Sequence, residues 1–154
     1  MPASHNEKIA CVNRKAYHDY HIEDTLEAGI VLTGTEIKSI RAGHVGIRDS
    51  YARPENNEMW LYNSTIAHYE SGTLYNHEPG RPRKLLLHRS QIRYLINETR
   101  QKGYTLVPLK IYFRKGIAKV ELGLGRGKKV YDKRQTIAER DAEREMQRDY
   151  KISR

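Results

Sequence analysis

Residues 117–124 leave little freedom of fold: Ala118, Val120, Leu122 and Leu124 alternate with Lys119, Glu121 and Gly123. A period of two sends alternate side chains to opposite sides of an extended chain, so this segment predicts a strand with one buried face. Tyr104–Phe113 predicts its partner strand, with Arg114-Lys115-Gly116 turning between them. Tyr17–Leu32 also alternates, and the Ala28-Gly29 pair predicts a bulge or bend in a long strand there. Ser50–Arg53 and Glu58–Tyr62 predict a further hairpin around the polar turn Pro54-Glu55-Asn56-Asn57.

Two helices are expected among these strands. Thr33 and Glu36 stand at capping-box spacing, where each side chain satisfies a free backbone N–H at the helix start. Ile37 and Ile40 give this helix a narrow apolar face, and Gly43 is placed to end it. In the second helix Ile92, Leu95, Ile96 and Thr99 share a face, Ser90 is placed to cap the start, and Lys102-Gly103 closes it. Residues 70–84 contain Gly72, Pro79, Gly80 and Pro82 and read as an exposed loop ending in Arg81, Arg83 and Lys84. Residues 1–10 read as a loose start. Many strands, two small helices and no regular βαβ spacing predict a mainly β domain over residues 1–124. The expected architecture is an antiparallel sheet closed into a small oligonucleotide-binding (OB)-like barrel with flanking helices, because closure removes exposed strand edges.

Beyond Leu124 the pattern changes, and residues 125–154 read as a basic tail. Gly125-Arg126-Gly127-Lys128-Lys129 reads as a flexible charged joint, and residues 126–154 hold ten Lys or Arg against six Asp or Glu. Thr136 and Glu139 repeat the capping-box spacing. Arg140, Arg144 and Arg148 form one helical column, Asp141, Glu145 and Asp149 a second, and Ala138, Ala142, Met146 and Tyr150 a thin apolar stripe. A helix of roughly 15 residues with so thin an apolar face is marginal alone in water. The tail is therefore expected to fold against a partner, with its arginine column facing phosphate.

Charge narrows the function. The 154 residues include 28 Lys or Arg and 19 Asp or Glu, a net +9 that suits a phosphate backbone or an anionic membrane surface. The aliphatic run Leu85-Leu86-Leu87 is far too short to span a bilayer, and no helix has the strong apolar face needed to lie on one. The N-terminus leads into charges without an apolar stretch, which argues against a signal peptide, and the lone Cys11 suits a reducing cytosol. A cytoplasmic protein with no membrane partner is expected.

Nor does the chain predict catalysis. His18 and His21 lie near Asp19 and Asp24, but strand alternation puts the two histidines on opposite faces. No Cys or His cluster has zinc spacing, and there is no P-loop or dinucleotide fingerprint. Gly123-x-Gly125-x-Gly127 lacks a following apolar helix and reads as a hinge. No cofactor, metal or small-molecule substrate is expected. Arg14 and Lys15, Lys38 and Arg41, Arg83 and Lys84, and Lys110, Arg114, Lys115 and Lys119 lie on separate segments. They either converge into one patch or spread as a solvated surface. Convergence predicts steeply salt-dependent binding. The Tyr and His residues among them offer stacking surfaces for unpaired bases, which favours RNA over duplex DNA.

The stretch Val31-Leu32-Thr33-Gly34-Thr35-Glu36-Ile37-Lys38-Ser39-Ile40-Arg41-Ala42-Gly43 resembles the signature of the bacterial SsrA-binding proteins, the small protein B family. Three further segments are similar to that family: Asn13-Arg14-Lys15-Ala16 with His18-Asp19-Tyr20, then Arg83-Lys84-Leu85-Leu86-Leu87, then Gly127-Lys128-Lys129 with Asp132-Lys133-Arg134. The resemblance runs in order from near residue 9 to the end of the chain. It implies an OB-type barrel that binds the tRNA-like domain of transfer-messenger RNA (tmRNA) at its D-loop and elbow. It further implies entry of the pair into ribosomes stalled without a usable stop codon, where the nascent chain is tagged for proteolysis and the ribosome released.

By the resemblance, Asn13, Glu27, Leu86 and Lys119 match positions associated with RNA binding. Arg14, Lys15, Lys38, Arg41 and Lys84 are added on charge and predicted placement. Glu27 repels phosphate, so it either accepts hydrogen bonds from base edges or 2′-hydroxyls, or orients a neighbouring basic residue. Leu86 would pack on a base or brace its loop, and Lys119 fits a phosphate contact. Gly127, Lys128, Lys129, Asp132, Lys133 and Arg134 match the family's tail motif, with Tyr131 as a stacking candidate. The implied tail occupies the empty mRNA channel as a helix near the rRNA of the decoding region, which gives Arg140, Arg144 and Arg148 an rRNA partner. Two alternatives remain: a general single-stranded RNA- or DNA-binding barrel, and a structural ribosomal protein.

Overall fold

Alternation of apolar and polar residues builds most of the fold. The computed structural model describes residues 7–69 and 76–128. Its elements are β1 (Glu7–Val12), α1 (Arg14–Asp19), β2 (Tyr20–Ile30), α2 (Gly34–Arg41), β3 (Val45–Gly46), β4 (Tyr51–Glu55) and β5 (Glu58–Tyr62), followed by β6 (Thr65–Ile66), β7 (Arg83–Leu86), α3 (Arg89–Lys102), β8 (Thr105–Arg114) and β9 (Ile117–Gly127). The main sheet is antiparallel, in the order β1-β8-β4-β5-β7-β2-β9. Strand β9 pairs with β8 as well as β2, so the ladder of strands returns to β8. Strands β3 and β6 form a separate two-stranded sheet.

The alternating face of β9 points as the sequence requires. Ala118, Val120, Leu122 and Leu124 are buried with Leu61, Leu85, Leu106 and Ile111 in the main core, joined by Ile40 of α2 and Leu95 of α3. A register shift between Pro108 and Lys110 puts Val107 and Leu109 into a second cluster with Ala16 of α1. Helix α1 thus packs on β8 away from the main core. The two hairpin turns are tight: Asn56 and Asn57 have φ 52° and 62°, and Lys115 and Gly116 have 52° and 77°. Left-handed backbone at both central residues matches the twist of the flanking strands. In the first hairpin the turn is shorter than expected, with Pro54 and Glu55 still paired in β4.

Several expectations need correction. Residues 7–12 are not loose but form β1, which pairs with β8. Tyr17–Asp19 belong to a helix, because the Asn13 side chain caps it by accepting from the Ala16 N–H. Six helical residues are too few to betray their period against a following strand. The irregularity in β2 falls between Ile22 and Asp24, while Ala28 and Gly29 continue the ladder. Helix α3 starts from His88 rather than Ser90, with the Gln91 carboxamide oxygen accepting from the His88 N–H at 3.0 Å. Strand β9 runs through Gly127, so the joint expected from residue 125 begins inside the sheet. Gly123 and Gly125 are not a hinge: a Cβ would lie 2.9 Å from Leu109 Cδ1 at the first and 2.5 Å from the His21 carbonyl oxygen at the second. These glycines admit close approach of neighbouring groups.

The largest correction concerns Arg83, expected in an exposed loop and found fully buried at the start of β7. Its Nε donates to Glu36 Oε2 at 2.6 Å. Its Nη1 donates to the Ser64 hydroxyl and to the carbonyls of Ser64 and Arg81, and its Nη2 to those of Glu78 and Pro79. Glu36 is itself fully buried and closes the predicted capping box of α2 by accepting from the Thr33 N–H at 2.8 Å. Arg81 adds a two-pronged contact to the same carboxylate. One ion pair therefore joins α2, the residues after β6 and the approach to β7.

Burial pushes the Glu36 carboxyl up, but hydrogen bonds from Arg81, the Thr33 N–H and Arg83 outweigh it and hold it below the usual range. A carboxyl depressed in the folded state contributes stability above its unfolded pKa of roughly 4.3, and that contribution is lost as pH falls through the folded value. Glu36→Gln leaves a buried guanidinium uncompensated. It is expected to cost about 3–5 kcal/mol in urea denaturation at neutral pH, and less as acid protonates the wild-type carboxyl. A loss below 1 kcal/mol at neutral pH would show that the pair does not hold the fold.

Candidate nucleic-acid interface

Strand register decides which side chains meet on the outside of the sheet. Ile9 pairs with Tyr112, Tyr112 with Lys119, Lys119 with Gly29 and Gly29 with Leu86, a level crossing β1, β8, β9, β2 and β7. Two residues before Gly29, on the same side of β2, stands Glu27. Glu27, Gly29, Leu86 and Lys119 line one shallow cleft with Leu87, His88 and Gln91. Leu86 is 51% exposed, a large apolar side chain with no cover. Gly29 needs no left-handed backbone, but a Cβ there would come within 3.2 Å of Leu86 Cβ. Its bareness leaves room between Leu86 and Lys119.

The electrostatics of this face depend on which charges are already paired. Glu27 accepts from Arg114 Nη1 at 2.6 Å, and the other Nη of Arg114 donates to Glu7. Lys110 lies 3.4 Å from Glu121 and 3.9 Å from Glu7. Lys110 and Arg114 also sit over the Tyr112 ring, at 5.2 and 5.6 Å from its centroid. Burial, and after it the hydrogen bond to Glu27, holds the Tyr112 phenol well above its usual range. Two cations are thus shared among three carboxylates, and neither stands free. Lys119 makes no ion pair among the described residues. The cleft therefore offers one uncommitted cation, one exposed apolar side chain and one carboxylate whose orientation Arg114 sets. A phosphate, the face of a base and a hydrogen-bond donor are the chemical complements of these three.

The other expected residues lie elsewhere. Lys84 lines the neighbouring groove, 3.0 Å from Glu58. Arg14 and Lys15 line a different depression with Val45 and Arg48, and Lys15 is paired with Asp49 at 2.6 Å. On α2, Lys38 lies over the Tyr69 ring and Arg41 over Phe113, each 5.4 Å from the centroid. The basic residues thus spread over several faces, and only part of the expected set converges. Gly127 pairs with Tyr20 at the end of β9, and Lys128 follows it. Lys129, Tyr131, Asp132, Lys133, Arg134, Arg140, Arg144 and Arg148 lie outside the described residues. Arg114 was singled out by its charge but not as the partner of Glu27, and Glu7, Gly29, His88 and Gln91 escaped sequence reasoning as site residues. Only the last two carried a local signal, the three-residue spacing of a helix start.

Comparisons with known proteins agree along the chain. A family model described as SmpB protein matches residues 10–152. The SsrA-binding protein of Carboxydothermus hydrogenoformans is 61% identical over 142 residues, covering 92% of this chain and 95% of that protein. The SsrA-binding protein of Shouchella clausii is 61% identical over 141 residues, covering 92% and 90%. A chain of a solved structure following tmRNA–SmpB to the center of the bacterial ribosome is 56% identical, covers 76% of this chain and 82% of its own, and superposes with a TM-score of 0.65.

Asn13 separates contact from scaffold. It is buried, its Nδ2 donates to the carbonyls of Ile47 at 2.8 Å and Pro108 at 2.9 Å, and its Oδ1 caps α1. Its polar atoms are thus engaged inside the protein, where they fix the backbone that leads into Arg14 and Lys15. Asn13→Ala is expected to cost about 2–4 kcal/mol, combining a lost cap with two orphaned buried carbonyls. Arg14→Ala, at an exposed position, is expected to stay within about 0.5 kcal/mol. Equal urea midpoints for the two variants would refute this role.

Proposed function

The chain belongs to the SmpB protein family, and on that premise we propose that it binds the tRNA-like domain of tmRNA and delivers it to stalled ribosomes for trans-translation. The observation that carries the reading is the meeting of Glu27, Leu86 and Lys119, from three strands, in one cleft. Lys119 takes a phosphate of the folded RNA, and Leu86 packs against a base or ribose. Glu27, oriented by Arg114, accepts from a base edge or a 2′-hydroxyl. The return of the strand ladder to β8 supports reading the sheet as an OB-like barrel, an architecture suited to such a surface. Residues 128–154 act in the second step as a tail that follows the empty mRNA channel, where its arginines meet rRNA. The protein contributes binding and placement rather than a chemical step. Its partners place that work in the cytoplasm.

Two measurements test this. Full-length protein is offered the tRNA-like domain of tmRNA at moderate salt, with an unstructured RNA of equal length as competitor. Strong preference for the folded RNA is expected. The pair Glu27→Ala and Lys119→Ala is expected to lower that affinity on the order of tenfold to a hundredfold. Equal binding of both RNAs would reduce the protein to a general single-strand binder. Deleting residues 131–154 is expected to leave RNA binding near normal and abolish tagging of the stalled chain in a reconstituted translation assay. Loss of RNA binding in that truncation would overturn the division of labour.

A further inference from the structure

A groove of about 790 Å³ adjoins the cleft and shares Leu86 and Leu87 with it. It runs between the first half of α3 and the turn of the β4–β5 hairpin. Arg89 and Arg93 line its helix side and Asn56 and Asn57 its hairpin side, with Ile92 and Ile96 between. Arg89 and Arg93 stand one turn apart, so they share a side of α3. Both are exposed, and neither makes an ion pair among the described residues. Their situation differs from that of Lys15, Arg53, Lys84, Lys110 and Arg114, each held by a carboxylate. Nor does Arg89 serve the helix, whose first turn holds no acidic residue and where a cation opposes the dipole.

We propose that this groove takes the sugar–phosphate backbone of the RNA strand lying against Leu86, with Arg89 and Arg93 each holding a phosphate. The proposal rests on the function proposed above and extends its interface from Lys119 across Leu86 onto α3. These three uncommitted cations then form one track, Lys119 on one side of Leu86 and the two arginines on the other. Asn56 and Asn57 supply donors and acceptors for ribose hydroxyls on the opposite wall. Non-ionic contacts from Leu87, Ile92 and Ile96 hold the riboses without adding salt dependence.

The test is the salt dependence of affinity for the tRNA-like domain of tmRNA, using the full-length chain. Each phosphate contact contributes nearly one unit to the slope of log affinity against log salt. Arg89→Gln with Arg93→Gln is expected to make that slope shallower by about 2 and to weaken binding roughly tenfold at moderate salt. Arg100→Gln, an exposed arginine later on the same helix and outside the groove, is expected to change neither. Thermal unfolding of each variant verifies that the fold is intact. An unchanged slope in the double variant overturns the track, and so does an unchanged slope with lost ribosome association, which would assign the arginines to another partner. If the Glu27 and Lys119 variants lose affinity while the double variant keeps its slope, the groove alone fails. If wild type shows no preference for the folded RNA, the underlying function fails and the groove with it.

Discussion

The buried pair of Arg83 and Glu36 governs both the fold and the surface beside it. A guanidinium with no exposure is tolerable only if its donors are all satisfied, and here a carboxylate, a hydroxyl and four carbonyls satisfy them. Those carbonyls belong to Ser64 and to residues 78–81, so the pair holds irregular backbone against α2 where no sheet hydrogen bonds are available. It also sets the phase of β7. With Arg83 pointing inward, Leu85 follows it into the core, while Lys84 and Leu86 turn outward. A slip of one residue would exchange the two sets. The exposed Leu86 that defines the cleft is therefore a consequence of a charge buried three residues earlier.

Charge on the outer face is partitioned rather than pooled. The chain carries a net +9, yet Lys110 and Arg114 are held by Glu7, Glu27 and Glu121. The effect is to leave a few separated cations where a ligand can reach them. A carboxylate at Glu27 is no contradiction in a phosphate-binding surface once Arg114 cancels its repulsion and fixes its direction. Screening by neighbours also makes selectivity possible: a uniformly basic face binds any polyanion, whereas Lys119 beside Leu86 and a fixed acceptor demands a particular shape.

How much of this was legible depends on the range of the interactions involved. The β8–β9 hairpin, the capping box of α2 and the apolar face of α3 follow from residues within a few positions of one another, and each stands where the pattern puts it. Helix α1 was hidden because its cap, Asn13, draws its other partners from Ile47 and Pro108, 34 and 95 residues away. Arg83 was misread because Arg-rich, Pro-rich segments are ordinarily exposed, and its partner Glu36 lies 47 residues earlier. Of the site, Glu27 and Leu86 were reached through a family resemblance, not through periodicity, while Lys119 was singled out by its charge as well.

The chain by itself determined a mainly β protein with short capped helices, a basic character and the family to which it belongs, since these rest on local spacing, composition and motif. Tertiary structure alone could say which cations remain free and which side chains share a surface. Ion pairing and convergence depend on register between strands far apart in the chain: Glu27 meets Arg114 across 87 residues. Gly29 comes to face both Lys119 and Leu86 only because β2 lies between β9 and β7. The residues that line the cleft are thus assembled by the same pairing that closes the core behind them.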